Sequence, residues 1–257
     1  MTKTVLIGIM LPFVGTALGA GSVYFMKKGV SPSLRRALCG FAAGVMTAAS
    51  VWSLLIPALE SGPGGVGSFL PAGCGFAAGM LLLLLFDWAI PRIESDTLRG
   101  RFSPSGGKST TMLVLAVTLH NFPEGLAVGV ALAGAVEGDV TAAAATALAV
   151  GIAIQNFPEG AIVSLPLRAE GKSKPRAFSG GVLSGAVEPA GALLTLAASH
   201  FIAPAMPFLL SFAAGAMIYV VIEELVPEFA EGDGAHFGTA LFTAGFAVMM
   251  ALDVILG

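Results

Sequence analysis

Apolar residues run along this chain in long unbroken blocks rather than in alternation, as in Gly79–Phe86 (GMLLLLLF). Blocks of 20 or so such residues can cross a hydrocarbon core of about 30 Å as helices that rise about 1.5 Å per residue. They predict eight spans, at 5–26, 35–59, 69–90, 110–134, 141–166, 177–200, 203–229 and 236–256. A porin-like barrel would instead alternate apolar and polar residues in segments of about ten. The connections are short and hold turn formers, such as Gly62-Pro63-Gly64-Gly65, Ser103-Pro104-Ser105-Gly106-Gly107 and Gly171-Lys172-Ser173-Lys174-Pro175. The expected fold is an all-α membrane protein of eight transmembrane helices, a single domain over 1–257. Val5–Met26 is long enough to span, so it is expected to be the first span rather than a cleaved leader.

Composition agrees with this pattern. The chain is 56% hydrophobic and 11% charged, with mean hydropathy +0.88, whereas a soluble domain carries about 25% charged residues. The net charge of −3 matters less than where the charges fall. Lys27, Lys28, Arg35 and Arg36 follow the first span. Arg92, Arg99, Arg101 and Lys108 follow the third, and Arg168, Lys172, Lys174 and Arg176 the fifth. The connections after spans two, four and six hold no Lys or Arg. The positive-inside rule then places both termini outside. The connection after span seven should also lie inside, yet it is acidic (Glu228, Glu231, Asp233). Cys39 and Cys74 fall near opposite faces, so no disulfide is expected between them. Spacings such as Gly15-Thr16-Ala17-Leu18-Gly19 allow close helix packing, within the chain or between two copies.

Two near-copies of one polar string interrupt the apolar blocks: His120-Asn121-Phe122-Pro123-Glu124-Gly125 and Gln155-Asn156-Phe157-Pro158-Glu159-Gly160. Ionisable groups at membrane depth are expensive and mark function by default. The four-residue spacing from His120 to Glu124 sets both side chains on one helix face. Gln155 and Glu159 repeat it. Pro123 and Pro158 free the carbonyls of Leu119 and Ile154. Glu188, directly before Pro189, falls at a matching depth in span six. Three carboxylates, an imidazole and several amides would then converge near mid-membrane, where a divalent cation offsets their charge. The set has no thiolate and suits borderline ions such as Zn²⁺, Mn²⁺ or Fe²⁺.

These strings, on eight spans with outside termini, resemble the ZIP family of divalent-metal transporters, in particular its bacterial GufA-like branch. The resemblance implies a ZIP-like bundle with proline-kinked helices four and five at its centre and a binuclear metal centre between them. His120, Glu124, Gln155 and Glu159 would form one metal position. Asn121, Asn156 and Glu188 would form a second, bridged by Glu124 and Glu159. Gln155 stands where many relatives carry histidine and Asn156 where some carry aspartate, so the second metal is expected to bind weakly or to be regulatory. The loop that is histidine-rich in many relatives spans about 20 residues here (Pro91–Lys108), none of them histidine.

The resemblance also implies Zn²⁺ as the transported substrate, with Cd²⁺, Mn²⁺ and Fe²⁺ as further substrates. It implies uptake across the cytoplasmic membrane by alternating access. The expected partners are metal ions, the lipid bilayer and a second copy of the chain, with no nucleic acid. Met46, Ser50 and Ser53 would line the outer approach. Asp87, Glu223 and Glu224 would lead to the cytoplasm. His200, His236 and Asp253 are expected at solvated span ends, and Trp52, Trp88 and Tyr24 as interfacial anchors. An intramembrane metal hydrolase is disfavoured by the absence of HExxH. A carrier of another solute with a structural metal is the remaining alternative.

Overall fold

The computed structural model describes residues 3–25, 31–97, 110–138, 140–198, 205–230 and 234–256. Lys27, Lys28, Arg99, Arg101, Lys108, His200, Glu231 and Asp233 lie outside them, and of Arg92 and His120 only the helical backbone is described. The described chain is helical throughout. We label its long helices α1 (Lys3–Tyr24), α2 (Pro32–Glu60), α3 (Val66–Thr97), α4 (Thr110–Glu137), α5 (Ala142–Ala169), α6 (Lys174–Ala197), α7 (Met206–Ala230) and α8 (Ala235–Leu256). By length and apolarity, all but α4 qualify as membrane spans among the described residues. α4, at 28 residues, carries the first polar string.

The helix ends follow local chemistry. Ser31 and Thr141 cap α2 and α5 by accepting from the Leu34 and Ala144 amides at 3.2 and 3.0 Å. α4 ends at Gly138 and α5 at Gly171, with φ of 95° and 90°, a backbone that glycine adopts without strain. The third span was expected to end at residue 90, but the helix runs on through Pro91 to Thr97. A proline removes one ladder bond, and polar residues beyond the membrane can continue the helix past it. The loop predicted over Pro91–Lys108 is therefore shorter. α6 is broken at Ala186, because Pro189 has no N–H to offer the Gly185 carbonyl.

Two interruptions were not anticipated. Residues Ser50–Leu55 of α2 and Val221–Leu225 of α7 are π-helical. Each ends two residues before a proline, Pro57 or Pro227, inside matching strings: Val51-Trp52-Ser53-Leu54-Leu55-Ile56-Pro57 and Val221-Ile222-Glu223-Glu224-Leu225-Val226-Pro227. The proline ring crowds the carbonyl four residues back, and a wider turn relieves the clash.

Glycine sets the packing, and it does so within the chain. The helices associate as α1 with α5, α2 with α8, α3 with α7, and α4 with α6. In each pair a glycine lies so close to its partner's backbone that a Cβ could not fit. Gly19 meets the Phe157 carbonyl, Gly44 the Phe242 carbonyl, Gly79 the Phe212 carbonyl and Gly125 the Glu188 carbonyl. Exchanging α1 with α6, α2 with α7, α3 with α8 and α4 with α5 carries every pair onto another. It also carries one polar string onto the other and one π segment onto the other. This is the arrangement of an internal repeat. α1, α4, α5 and α6 form one group and α2, α3, α7 and α8 a second; they meet where α2 and α8 lie on α5 and α7 lies on α4.

The acidic end of α7 sits on the basic face. Glu228 bonds Arg35 at 3.0 Å, and Lys174 donates to the Tyr24 carbonyl at 2.9 Å across the same end of the bundle. Glu228 of the acidic connection is thus paired with a base of the basic one. Cys39 is buried, Cys74 is exposed and both are free. Trp52 is not a surface anchor: it packs against the core, edge-on to Phe246 with ring centroids 5.4 Å apart. Trp88 and Tyr24 are exposed, as expected.

Enlarging an interlocked glycine should separate its pair. Gly44→Leu is expected to lower the thermal unfolding midpoint in detergent by roughly 4–10 °C, from an overpacking cost of about 1–3 kcal/mol. Gly21→Ala, which meets nothing within 4 Å, should leave it unchanged. Fluorescence-detected size exclusion after heating reads both.

Candidate metal centre

α4 and α5 run without interruption through Pro123 and Pro158. The two polar strings therefore project from helix sides. Their phenylalanines, Phe122 and Phe157, turn outward and are exposed. Asn121, Glu124, Gln155, Asn156 and Glu159 turn inward, and Glu188 joins them from α6; all six are buried. His120 lies one position before Asn121, but its side chain lies outside the described residues.

The hydrogen bonds among these groups follow one rule. Gln155 Nε2 donates to Glu124 Oε1 at 2.6 Å. Asn121 Nδ2 donates to the Ser184 carbonyl at 3.0 Å. Thr16 Oγ1, on α1, donates to Glu188 Oε1 at 2.6 Å. In each bond the acceptor is an oxygen without hydrogen, so the amide orientation follows from chemistry. Each of these site residues then keeps one bare oxygen: Asn121 Oδ1, Gln155 Oε1, Glu124 Oε2 and Glu188 Oε2 are buried with no hydrogen-bond partner. Asn156 is the polar neighbour common to Glu124 and Glu188, yet neither of its amide atoms completes a bond. Among the described residues, the only other such orphans are the hydroxyls of Ser22 and Ser211. Buried acceptors left unpaired are costly. A cluster of them with carboxylates has the chemistry of a cation site, because bare oxygens are what an oxygen-binding ion takes as ligands.

The carboxylates do not form a preformed claw. Among the described residues no three His, Cys, Asp or Glu side chains stand close enough to grip an ion without help from amides. Glu124 lies within electrostatic range of both Glu188 and Glu159. Glu159 also lies within electrostatic range of Glu224 on the π segment of α7. It therefore links the centre to the second helix group.

The expected path residues divide. Met46 and Ser50 are buried, and Ser50 donates to the Met46 carbonyl of its own helix at 2.8 Å. That bond spends its hydroxyl inside the helix. Asp87 accepts from Tyr219 at 2.7 Å. Glu223 is exposed and Glu224 half-buried. Asp253 is half-buried and accepts from Ser53 at 2.9 Å. Ser53–Asp253 joins α2 to α8 and Tyr219–Asp87 joins α7 to α3, so each π-bearing helix is tied by a hydroxyl to a carboxylate of its partner. His236 is exposed. Sequence reading missed Thr16 and Tyr219, because isolated hydroxyls on apolar helices carry no spacing signal.

An oxygen-rich cluster sealed inside a helical membrane bundle is the equipment of a cation transporter. Residues 96–253 match the sequence profile described as ZIP Zinc transporter. The chain is 35% identical to zinc transporter ZIP11 of Homo sapiens, over 98% of this chain and 97% of that protein. It is 37% identical to zinc transporter GufA of Myxococcus xanthus, over 95% and 96% respectively. With zinc transporter ZIPB of Bordetella bronchiseptica it shares 39% identity, over 95% of this chain and 79% of that one. The chain belongs to the ZIP zinc transporter family. It is a membrane transporter of divalent metal ions and not an enzyme.

A cation that satisfies the bare oxygens should stabilise the fold. With free zinc about a hundredfold above its Kd, binding adds about 2.7 kcal/mol, which raises the unfolding midpoint by roughly 5–10 °C for a chain of this size. The shift should vanish in Glu124→Ala/Glu159→Ala, as read by a thermal-shift assay in detergent.

Proposed function

We propose that the protein takes up Zn²⁺ into the cytoplasm by alternating access around the buried cluster of α4, α5 and α6. The single observation that carries this reading is the set of bare oxygens on Asn121, Glu124, Gln155 and Glu188, each fixed by a hydrogen bond to its other half. His120, Glu124, Gln155 and Glu159 hold one ion. Asn121, Asn156 and Glu188 hold a second, which Glu124 and Glu159 share. The uncharged Gln155 and Asn156 weaken the grip, which suits an ion that must leave again. Cd²⁺, Mn²⁺ and Fe²⁺ fit the same donor set.

The chain crosses the cytoplasmic membrane eight times with both termini outside, so the basic face of Arg35, Lys174 and Glu228 is cytoplasmic. Inward release runs from Glu159 to Glu224 and then past Glu223 and Asp87. On the outer side Ser53 and Asp253 mark the approach, with Met46 and Ser50 deeper along α2. Access alternates as the ion-bearing group α1, α4, α5 and α6 shifts against α2, α3, α7 and α8. The interlocked glycine pairs fall within the groups, so each group moves as a unit. A second copy of the chain completes a homodimer.

The test is ⁶⁵Zn flux into proteoliposomes. The native protein transports, and the Glu124→Ala/Glu159→Ala variant, folded by size exclusion, falls to the protein-free background. Because ligands must be deprotonated to hold zinc, uptake declines as pH drops from 7 to 5. A flux that climbed steadily over that range would contradict the competition. Zinc that binds tightly but never exchanges would make the ion a structural staple and end the transport reading.

A further inference from the structure

We propose that Thr16 of α1 is a positioning residue of the central site, setting its zinc affinity by holding the Glu188 carboxylate in one orientation. This rests on the reading of the cluster as the ion site. Thr16 and Glu188 are both fully buried. The Thr16 hydroxyl has one proton, and two acceptors lie near it: Glu188 Oε1 at 2.6 Å and its own-helix Pro12 carbonyl at 3.4 Å. The proton goes to the shorter, charge-assisted bond. Oε1 carries this bond and Oε2 of Glu188 is left bare, so Thr16 sets the orientation in which the carboxylate meets the ion.

The packing around Thr16 is built for this contact. A Cβ on Gly160, the last residue of the second polar string, would collide with the Thr16 carbonyl. A Cβ on Gly185 would stand 2.8 Å from the Thr16 methyl and 3.0 Å from Glu188 Oε1. On the other side of the cluster, Gly125 ends the first string and meets the backbone of Glu188. The two strings thus use their equivalent glycines to seat two different residues, Glu188 through Gly125 and Thr16 through Gly160. Under the exchange of α1 with α6, Thr16 occupies the place that corresponds to Glu188. One of the two places carries a ligand and the other the hydroxyl that orients it. α1, which holds no residue of the polar strings, is thereby part of the site.

The experiment is equilibrium zinc binding by purified protein in detergent, with ⁶⁵Zn flux on the same preparations. The chains compared are native, Thr16→Val, Thr16→Ser, Glu188→Ala and Thr16→Val/Glu188→Ala. Valine keeps the shape and loses the donor; serine keeps the donor. Thr16→Val should weaken binding about tenfold and raise KM by a similar factor with kcat within about twofold. Thr16→Ser should stay within about twofold of native. In the Glu188→Ala background, Thr16→Val should change nothing further. Native affinity in Thr16→Val would overturn the proposal, and so would an equal loss with and without Glu188, which marks a packing effect. If Thr16→Val does not fold, Thr16→Ser against Glu188→Ala decides: a serine variant as weak as Glu188→Ala also overturns it. A native protein that binds no zinc would fail the ion-site reading itself, whereas native binding with an unaffected Thr16→Val fails only this inference.

Discussion

Placing a carboxylate in the interior of a membrane protein costs several kcal/mol even after the surroundings relax. Here Glu124, Glu159 and Glu188 lie within electrostatic reach of one another. Much of the remaining structure answers that cost. Gln155 and Thr16 each donate to one carboxylate oxygen, which stabilises the cluster in part. The second oxygens of Glu124 and Glu188, with two amide oxygens, are left without a hydrogen-bond partner. A fully satisfied network would hold no ion, and an unsupported one would not stay folded. The arrangement lies between these two limits, as binding that must be reversible requires.

The same balance governs the helices. Backbone polar groups in lipid must bond internally, so the chain cannot open its helices freely to build a site. It keeps α4 and α5 continuous through their prolines and presents side chains instead. Among the described residues, backbone irregularity within the helices falls at the break in α6 beside Glu188, at the π segments of α2 and α7 and in the 3-10 turn that ends α1. Each π segment lies against the other helix, in the group that does not hold the polar strings. Glycine contacts interlock the helices pairwise within each four-helix group. The contact of α2 and α8 with α5, and of α7 with α4, is where the proposed alternation would move, and Glu224 lies within electrostatic range of Glu159 there.

Long apolar blocks and paired strings made most of this legible before any coordinates. Every predicted span corresponds to a helix among the described residues. Proline position was read less well. The third span was bounded at residue 90, but its helix runs on through Pro91 to Thr97. Pro57 and Pro227 were not credited with the π turns before them, although the strings around them repeat. Thr16 and Tyr219 were invisible for another reason. Their importance comes from partners 172 and 132 residues away, and no periodicity encodes such a contact. The acidic end of α7, a conflict in charge counting, became a contact once Glu228 was seen on Arg35.

Zinc K-edge X-ray absorption on the zinc-loaded protein addresses the central claim most directly. A site made of buried oxygens and one imidazole predicts a first shell of nitrogen and oxygen only, at about 2.0–2.2 Å. The imidazole scattering should disappear in His120→Ala. A sulfur shell at about 2.3 Å, or a spectrum indistinguishable from hydrated zinc, would contradict the account.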